Sequence, residues 1–123
     1  AVLSWLGVTM YLAADAIAET MTAIGSLAPG SELIADYLLP QDVRDEAGAL
    51  YGRLVAQAAA ERGEPWLSYF SPAQIAGLAR RAGLGRARSV RQRDTVPSGL
   101  WRRTDSLRPA ELAVLLHGTV TGQ

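Results

Sequence analysis

Chemistry in this chain has to come from a few polar positions set at the ends of apolar runs. Val2, Leu3, Trp5, Leu6 and Val8 form the first run, and Gly7 interrupts it where a strand should stop. In open α/β sheets, ligands bind outside the carboxyl ends of the strands. Gly7 would let the backbone approach a ligand closely there, with Thr9 and Tyr11 beside it. Asp36 breaks a second run, Leu33 to Leu39, near its carboxyl end. A buried acid needs a partner or a task. Paired with an arginine, Asp36 is structural; otherwise it contacts substrate or acts as a base. Trp66, Tyr69 and Phe70 cluster in a short connector, as walls of a pocket or as a small local core.

Other reactive patterns are thin. His117 is the single histidine, lies in an apolar segment and reads as structural. No Ser-His-Asp set can be argued from it, and no metal-ligand spacing exists. Gly83-Leu84-Gly85 follows a helical pattern instead of a strand, so it reads as a helix stop. Arg86, Arg88, Arg91 and Arg93 alternate with Ala87 and Val90, the pattern of a strand with one wet face at or near a sheet edge. Binding of an acidic partner is the second reading of that run.

The elements that must position these residues follow from periodicity. A strand is expected over 2–8 and a helix over about 14–25, with Ile17, Met21 and Ile24 on one face. Asp15 and Glu19 sit where the helix dipole favours acids, and Ala28-Pro29-Gly30 is a turn. Leu33 to Leu39 is a second buried strand that Pro40 ends. A long helix is expected over about 41–62, with Val43, Ala47, Leu50, Leu54 and Ala58 as its buried stripe and Gly63 as its stop. Ser71-Pro72-Ala73-Gln74 is a helix start with the makings of a capping box. Ile75, Leu78, Ala79 and Ala82 mark that helix's buried face. Residues 86–93 are a strand and 94–109 a polar connector with about one helical turn. Residues 111–120 are ambiguous, with a helix-like start at Pro109-Ala110-Glu111-Leu112 but strand-like alternation of Leu112, Val114 and Leu116. Only the family resemblance described below makes them a final strand.

Bulk properties bound the function. The chain has 123 residues, one domain's worth, and 49% are hydrophobic. Twelve basic and twelve acidic residues give no net charge, which argues against nucleic acid or an anionic membrane as partner. Every basic residue is arginine. Cysteine is absent, which fits a reducing, cytoplasmic setting. The apolar start, residues 1–14, is shorter than the about 20 residues of a membrane span and has no basic leader. A beginning on a buried-type strand reads as a cut.

Ser4-Trp5-Leu6-Gly7-Val8-Thr9-Met10-Tyr11-Leu12 resembles the fourth-strand signature of the leucine carboxyl methyltransferase-like family. Pro29-Gly30-Ser31-Glu32-Leu33-Ile34-Ala35-Asp36-Tyr37 is similar to its fifth strand. Gly63-Glu64-Pro65-Trp66-Leu67 to Phe70-Ser71-Pro72 resembles its next helix start, and Arg103-Thr104-Asp105-Ser106-Leu107-Arg108-Pro109 its C-terminal stretch. The resemblance covers nearly the whole chain but only the second half of the family. It implies an α/β fold, the C-terminal half of a Rossmann-like class I methyltransferase: strands four to seven with flanking helices, the last strand antiparallel between two others.

The activity so implied is S-adenosylmethionine (SAM)-dependent O-methylation of a small-molecule carboxylate or hydroxyl by direct in-line transfer. Trp5, Leu6, Gly7 and Val8 stand at the family's cofactor position, though Leu6 replaces a frequent Glu. Thr9, Tyr11, Asp36, Trp66 and Phe70 stand near the acceptor, and no catalytic residue is singled out. The family's Gly-rich cradle and ribose acid have no counterpart, so the isolated fragment is expected to be inactive. Asp105 and Arg108 are expected to pair and hold a loop. The alternative is a non-catalytic interaction module. It would pair through an exposed strand edge with a second copy or with the missing N-terminal half.

Overall fold

The computed structural model describes residues 1–102, 104 and 109–121. The Asp105–Arg108 pairing lies outside the described residues. Four strands form one mixed sheet: β1 (Val2–Trp5), β2 (Glu32–Leu38), β3 (Arg86–Arg91) and β4 (Ala113–Thr119). Three helices accompany them: α1 (Ala14–Gly25), α2 (Glu46–Glu61) and α3 (Pro72–Arg81). The sheet order is β1-β2-β4-β3. β1 and β2 run parallel, and β4 is antiparallel to both of its neighbours, β2 and β3. The final strand therefore lies between two earlier ones, as expected for residues 111–120.

Strand register sorts the side chains into two faces. Leu3, Leu33, Gly118 and Ala87 lie in one row, and Trp5, Ala35, Leu116 and Ser89 in the next. These rows face α1 and α3. Ile17, Met21, Ile24, Ile75 and Ala79 bury themselves against Leu33, Ala35, Tyr37, Val114 and Leu116 to make the main core. The opposite face carries Ser4, Ile34, His117 and Arg88 in one row and Val2, Glu32, Thr119 and Arg86 in another. That face is open: Val2 is 69% and Ile34 37% exposed.

α1 and α3 follow their sequence signals. Ser71 accepts from the Gln74 amide at 3.2 Å, and Gln74 Oε1 accepts from the Ser71 amide at 2.8 Å, closing the capping box. Three boundaries differ from expectation. β1 stops at Trp5, because Gly7 adopts φ +71° and turns its N–H away from strand pairing. β3 stops at Arg91, and the connector after it holds two short 3-10 turns, Gln92–Asp94 and Ser98–Trp101.

The long helix expected over 41–62 is divided. Gln41–Val43 is a 3-10 turn, and α2 starts only after Asp45, whose carboxylate accepts the Gly48 amide at 2.7 Å.

The expected stripe on α2 is also corrected. Leu50 and Leu54 are 54% and 59% exposed, and Val43 and Tyr51 are exposed too. The helix instead buries Gly48, Gly52 and Ala59. A Cβ on Gly48 would overlap the Glu111 carbonyl, and one on Gly52 would sit 3.1 Å from Leu112 Cδ1. α2 thus docks by backbone proximity on the segment leading into β4, and its larger apolar residues are rotated outward.

Candidate functional site

The carboxyl ends of β1 and β2 collect most of the residues singled out by type. Asp36 links them. Its Oδ1 accepts the Gly7 amide at 2.8 Å, and its backbone carbonyl accepts the Thr9 hydroxyl at 2.8 Å. The expected arginine partner is not what holds Asp36: among the described residues no ion pair includes it. A left-handed glycine amide does that work, and the parallel pairing of β1 with β2 brings the two within reach. Asp36 also lines a shallow cavity of about 320 Å³ with Val90, Gln92, Thr95 and Leu115.

After Gly7 the chain makes a 3-10 turn, Thr9–Tyr11. Thr9 is buried, so its hydroxyl serves this turn. Leu6, Val8 and Tyr11 are exposed around it. Tyr11 lines a cavity of about 490 Å³ with Gly63, Glu64, Pro65 and Leu67.

The 66–70 segment is tied down across the same region. The Leu67 amide donates to Met10 O at 2.6 Å, the Ser68 hydroxyl to Leu12 O, and the Phe70 amide to Leu38 O at 2.9 Å. Trp66 packs on a second small core of Met10, Leu38 and Leu112. Its ring meets Tyr69 edge-on at 6.4 Å between centroids. The Trp66 indole N–H is buried, with no acceptor in reach among the described residues. A buried donor left unpaired costs about 1–3 kcal/mol, so this group favours an acceptor oxygen.

The structure joins Gly7, Thr9 and Asp36 in one network and sets Trp66 behind Met10. It does not bring Trp5 or Phe70 to that network. Trp5 packs against the main core, and Phe70 contacts both that core and a cleft with Gln74, Leu78 and Arg81.

Three supporting residues escaped the reading by motif. Arg44 donates through Nε to Leu39 O at 2.9 Å, and its guanidinium lies 5.4 Å from the Tyr69 centroid. Asp45 Oδ1 accepts from both Gly48 and Glu111 amides, fixing α2 to the approach to β4. An Asp ahead of an Ala-rich run is a legible cap signal. Ser68 carried no signal, since its partner is a backbone carbonyl 56 residues away.

One titration shift is resolved. Tyr37 is buried on the helical face, which pushes its phenol above the usual tyrosine value; its 2.7 Å hydrogen bond with Ser89 partly opposes this. The residue is a core hydroxyl and lies outside the network. Among the described residues, no three His, Asp or Glu side chains gather as a metal site.

Fold and site together define an α/β domain with its polar network at the carboxyl ends of a parallel strand pair. No family model and no curated protein matches the chain. Among solved structures, a possible exported protein from Bordetella parapertussis superposes with a TM-score of 0.65 over 98% of this chain at 18% identity. The chain spans only 39% of that protein's length, and the likeness shows the fold alone. No helix among the described residues is long and apolar enough to cross a membrane.

Proposed function

We propose that this chain is the C-terminal half of a Rossmann-like class I O-methyltransferase of the leucine carboxyl methyltransferase-like family. Its activity would be transfer of the SAM methyl group to a carboxylate or hydroxyl of a small molecule in the cytoplasm. The observation that carries the reading is the strand order: a parallel pair, then a reversed last strand inserted beside the edge strand that precedes it. Supporting it, the Ser4–Leu12 motif spans the carboxyl end of β1 and the Pro29–Tyr37 motif runs through β2 to Asp36 near its carboxyl end, where such sheets bind ligands.

The residues present do not make a SAM site by themselves. Leu6 offers no hydrogen-bonding side chain, and the Gly7 amide is already engaged by Asp36. Leu6 and Val8 supply an apolar wall only. The chain's own contribution is positional. Asp36 holds the Leu6–Val8 loop open at the strand end, and the Trp66–Phe70 segment walls the region beside Tyr11 and limits water.

The test starts from the polypeptide as its own cells make it. Its intact mass is expected well above 13.1 kDa, and that longer protein is expected to bind SAM in calorimetry, whereas the 123-residue chain binds weakly or not at all. A longer protein that gives no heat with SAM overturns the reading, as does tight SAM binding by the 123-residue chain.

A second reading is favoured by the place of β1. It is an edge strand whose outer side has no partner among the described residues, and such an edge recruits another strand. On that reading the chain is an interaction module that pairs with a second copy or a missing half. A monomer across the concentration range in sedimentation counts against the second copy.

A further inference from the structure

Zero net charge conceals a strong segregation. Residues 1–64 carry three arginines and nine acids, whereas residues 65–123 carry nine arginines and three acids. The arginine run on β3 and the turn after it is then divided by its partners. Arg91 pairs with Asp94 at 2.9 Å and Arg93 with Glu111 at 3.0 Å.

Arg86 and Arg88 have no such relief. Their cross-strand neighbours are Thr119 and His117. The acid in those rows, Glu32, lies 3.0 Å from His117 Nε2. Among the described residues, no carboxylate lies within 4.0 Å of Arg86, Arg88 or Arg80. Two guanidinium groups two residues apart on one strand face, about 7 Å between their Cα atoms, repel unless an anion lies between them.

A cavity of about 410 Å³ lies at this place, lined by Arg80, Arg86, Ala87, Arg88, His117 and Thr119. Ala87 belongs to the helical face and Arg88 to the open face, so the cavity wraps the outer edge of β3. Arg80 reaches it from the last turn of α3. β3 is the terminal strand of the sheet, so its outer edge keeps backbone N–H groups without strand partners. Guanidinium forks on both sides of such an edge match the oxygens of phosphate or carboxylate groups. A row of edge arginines also discourages strand pairing, but that role does not call for Arg80 from the helix.

We propose that the outer edge of β3 binds a small anion bearing two or more acid groups, held by Arg80, Arg86 and Arg88. The site lies where β3 starts and β4 ends, level with the first residue of β2 but separated from it by β4. The Gly7–Asp36 network lies at the other end of β2, so this proposal stands apart from the methyltransferase reading.

The test is titration of the isotope-labelled 123-residue chain, followed by NMR at low ionic strength. Pyrophosphate and citrate serve as separate probes, so that phosphate and carboxylate ligands are told apart. Saturable shifts confined to β3, Thr119 and the end of α3 are expected with at least one probe. Arg86→Gln/Arg88→Gln is expected to weaken that binding at least about tenfold. Arg91→Gln, whose guanidinium is already paired, should change it less than about twofold. Equal losses in the two variants would mean a diffuse field and overturn the proposal. Shifts that never saturate, an adventitious ion only, would overturn it as well. Amide spectra of the double variant that keep the native pattern outside β3 exclude misfolding as the cause of a loss.

Discussion

α1 and α2 are both Ala-rich helices that follow parallel-type strands, yet they meet the sheet in opposite ways. α1 buries Ile17, Met21 and Ile24, the stripe its periodicity announces. α2 buries Gly48, Gly52 and Ala59 and leaves Leu50 and Leu54 outside. The difference lies in what each helix finds beneath it. α1 lies with α3 over a face of Leu33, Ala35, Tyr37 and Leu116, where large side chains fill the gap. α2 lies against the Glu111 carbonyl at Gly48 and against the Arg44 and Leu112 side chains at Gly52, where a residue without Cβ fits. Periodicity identifies the apolar stripe of a helix, but burial goes to the face that geometry lets come closest.

The sharpest way to break this contrast is to hollow out the α1–α3 side. Leu116→Ala is expected to cost about 2–5 kcal/mol, because the side chain is fully buried in the main core. Urea unfolding measures it, and a cost below about 1 kcal/mol would show that the core lies elsewhere. On the α2 side, Gly48→Ala forces a methyl into the Glu111 carbonyl. We expect a loss of about 1–3 kcal/mol, with hydrogen exchange quickened in α2 and at residues 110–112 before β2 and β4 respond.

Tyr37 separates the two regions by pH. Its folded pKa is raised by burial, so below the ordinary tyrosine range the phenol is neutral in both states and adds no pH dependence. As pH rises past about 10, the unfolded phenol ionises first and stability falls until the folded pKa is reached. Denaturation midpoints between about pH 9 and 11 should drop more steeply for the native chain than for Tyr37→Phe. Equal slopes would place the phenol in solvent. The smallest effect is expected at the exposed stripe: Leu54→Gln should stay within about 0.5 kcal/mol of the native chain. A cost of about 2 kcal/mol would mean that something covers α2 in solution, and sedimentation would then show a larger species.

The polar network was half legible. Asp36 stood out as an acid inside an apolar strand, and Gly7 as a strand-end glycine. Their direct contact depends on the register that sets Trp5 opposite Ala35. An arginine partner is the expectation for an acid buried inside an apolar strand, but Asp36 is only half-buried and the amide of a glycine in a left-handed conformation satisfies its carboxylate. Their spacing, two residues apart, places Thr9 and Tyr11 side by side at one site. The 3-10 turn between them buries Thr9 and leaves Tyr11 on the surface.

What the amino-acid sequence determined by itself was local. The strand and helix identities before residue 94, the Ser71–Gln74 capping box, the burial of Ile17, Met21 and Ile24, and the edge character of the arginine strand follow from spacing and propensity within a few residues. The strand at Ala113–Thr119 does not, since its start also reads as a helix. What the tertiary structure alone decided was every choice between faces and partners. It set which side of α2 turns inward, which oxygen receives the Gly7 amide and which arginines on β3 find carboxylates. Those outcomes depend on segments 18 to 66 residues apart meeting in one register, and no local pattern encodes that meeting.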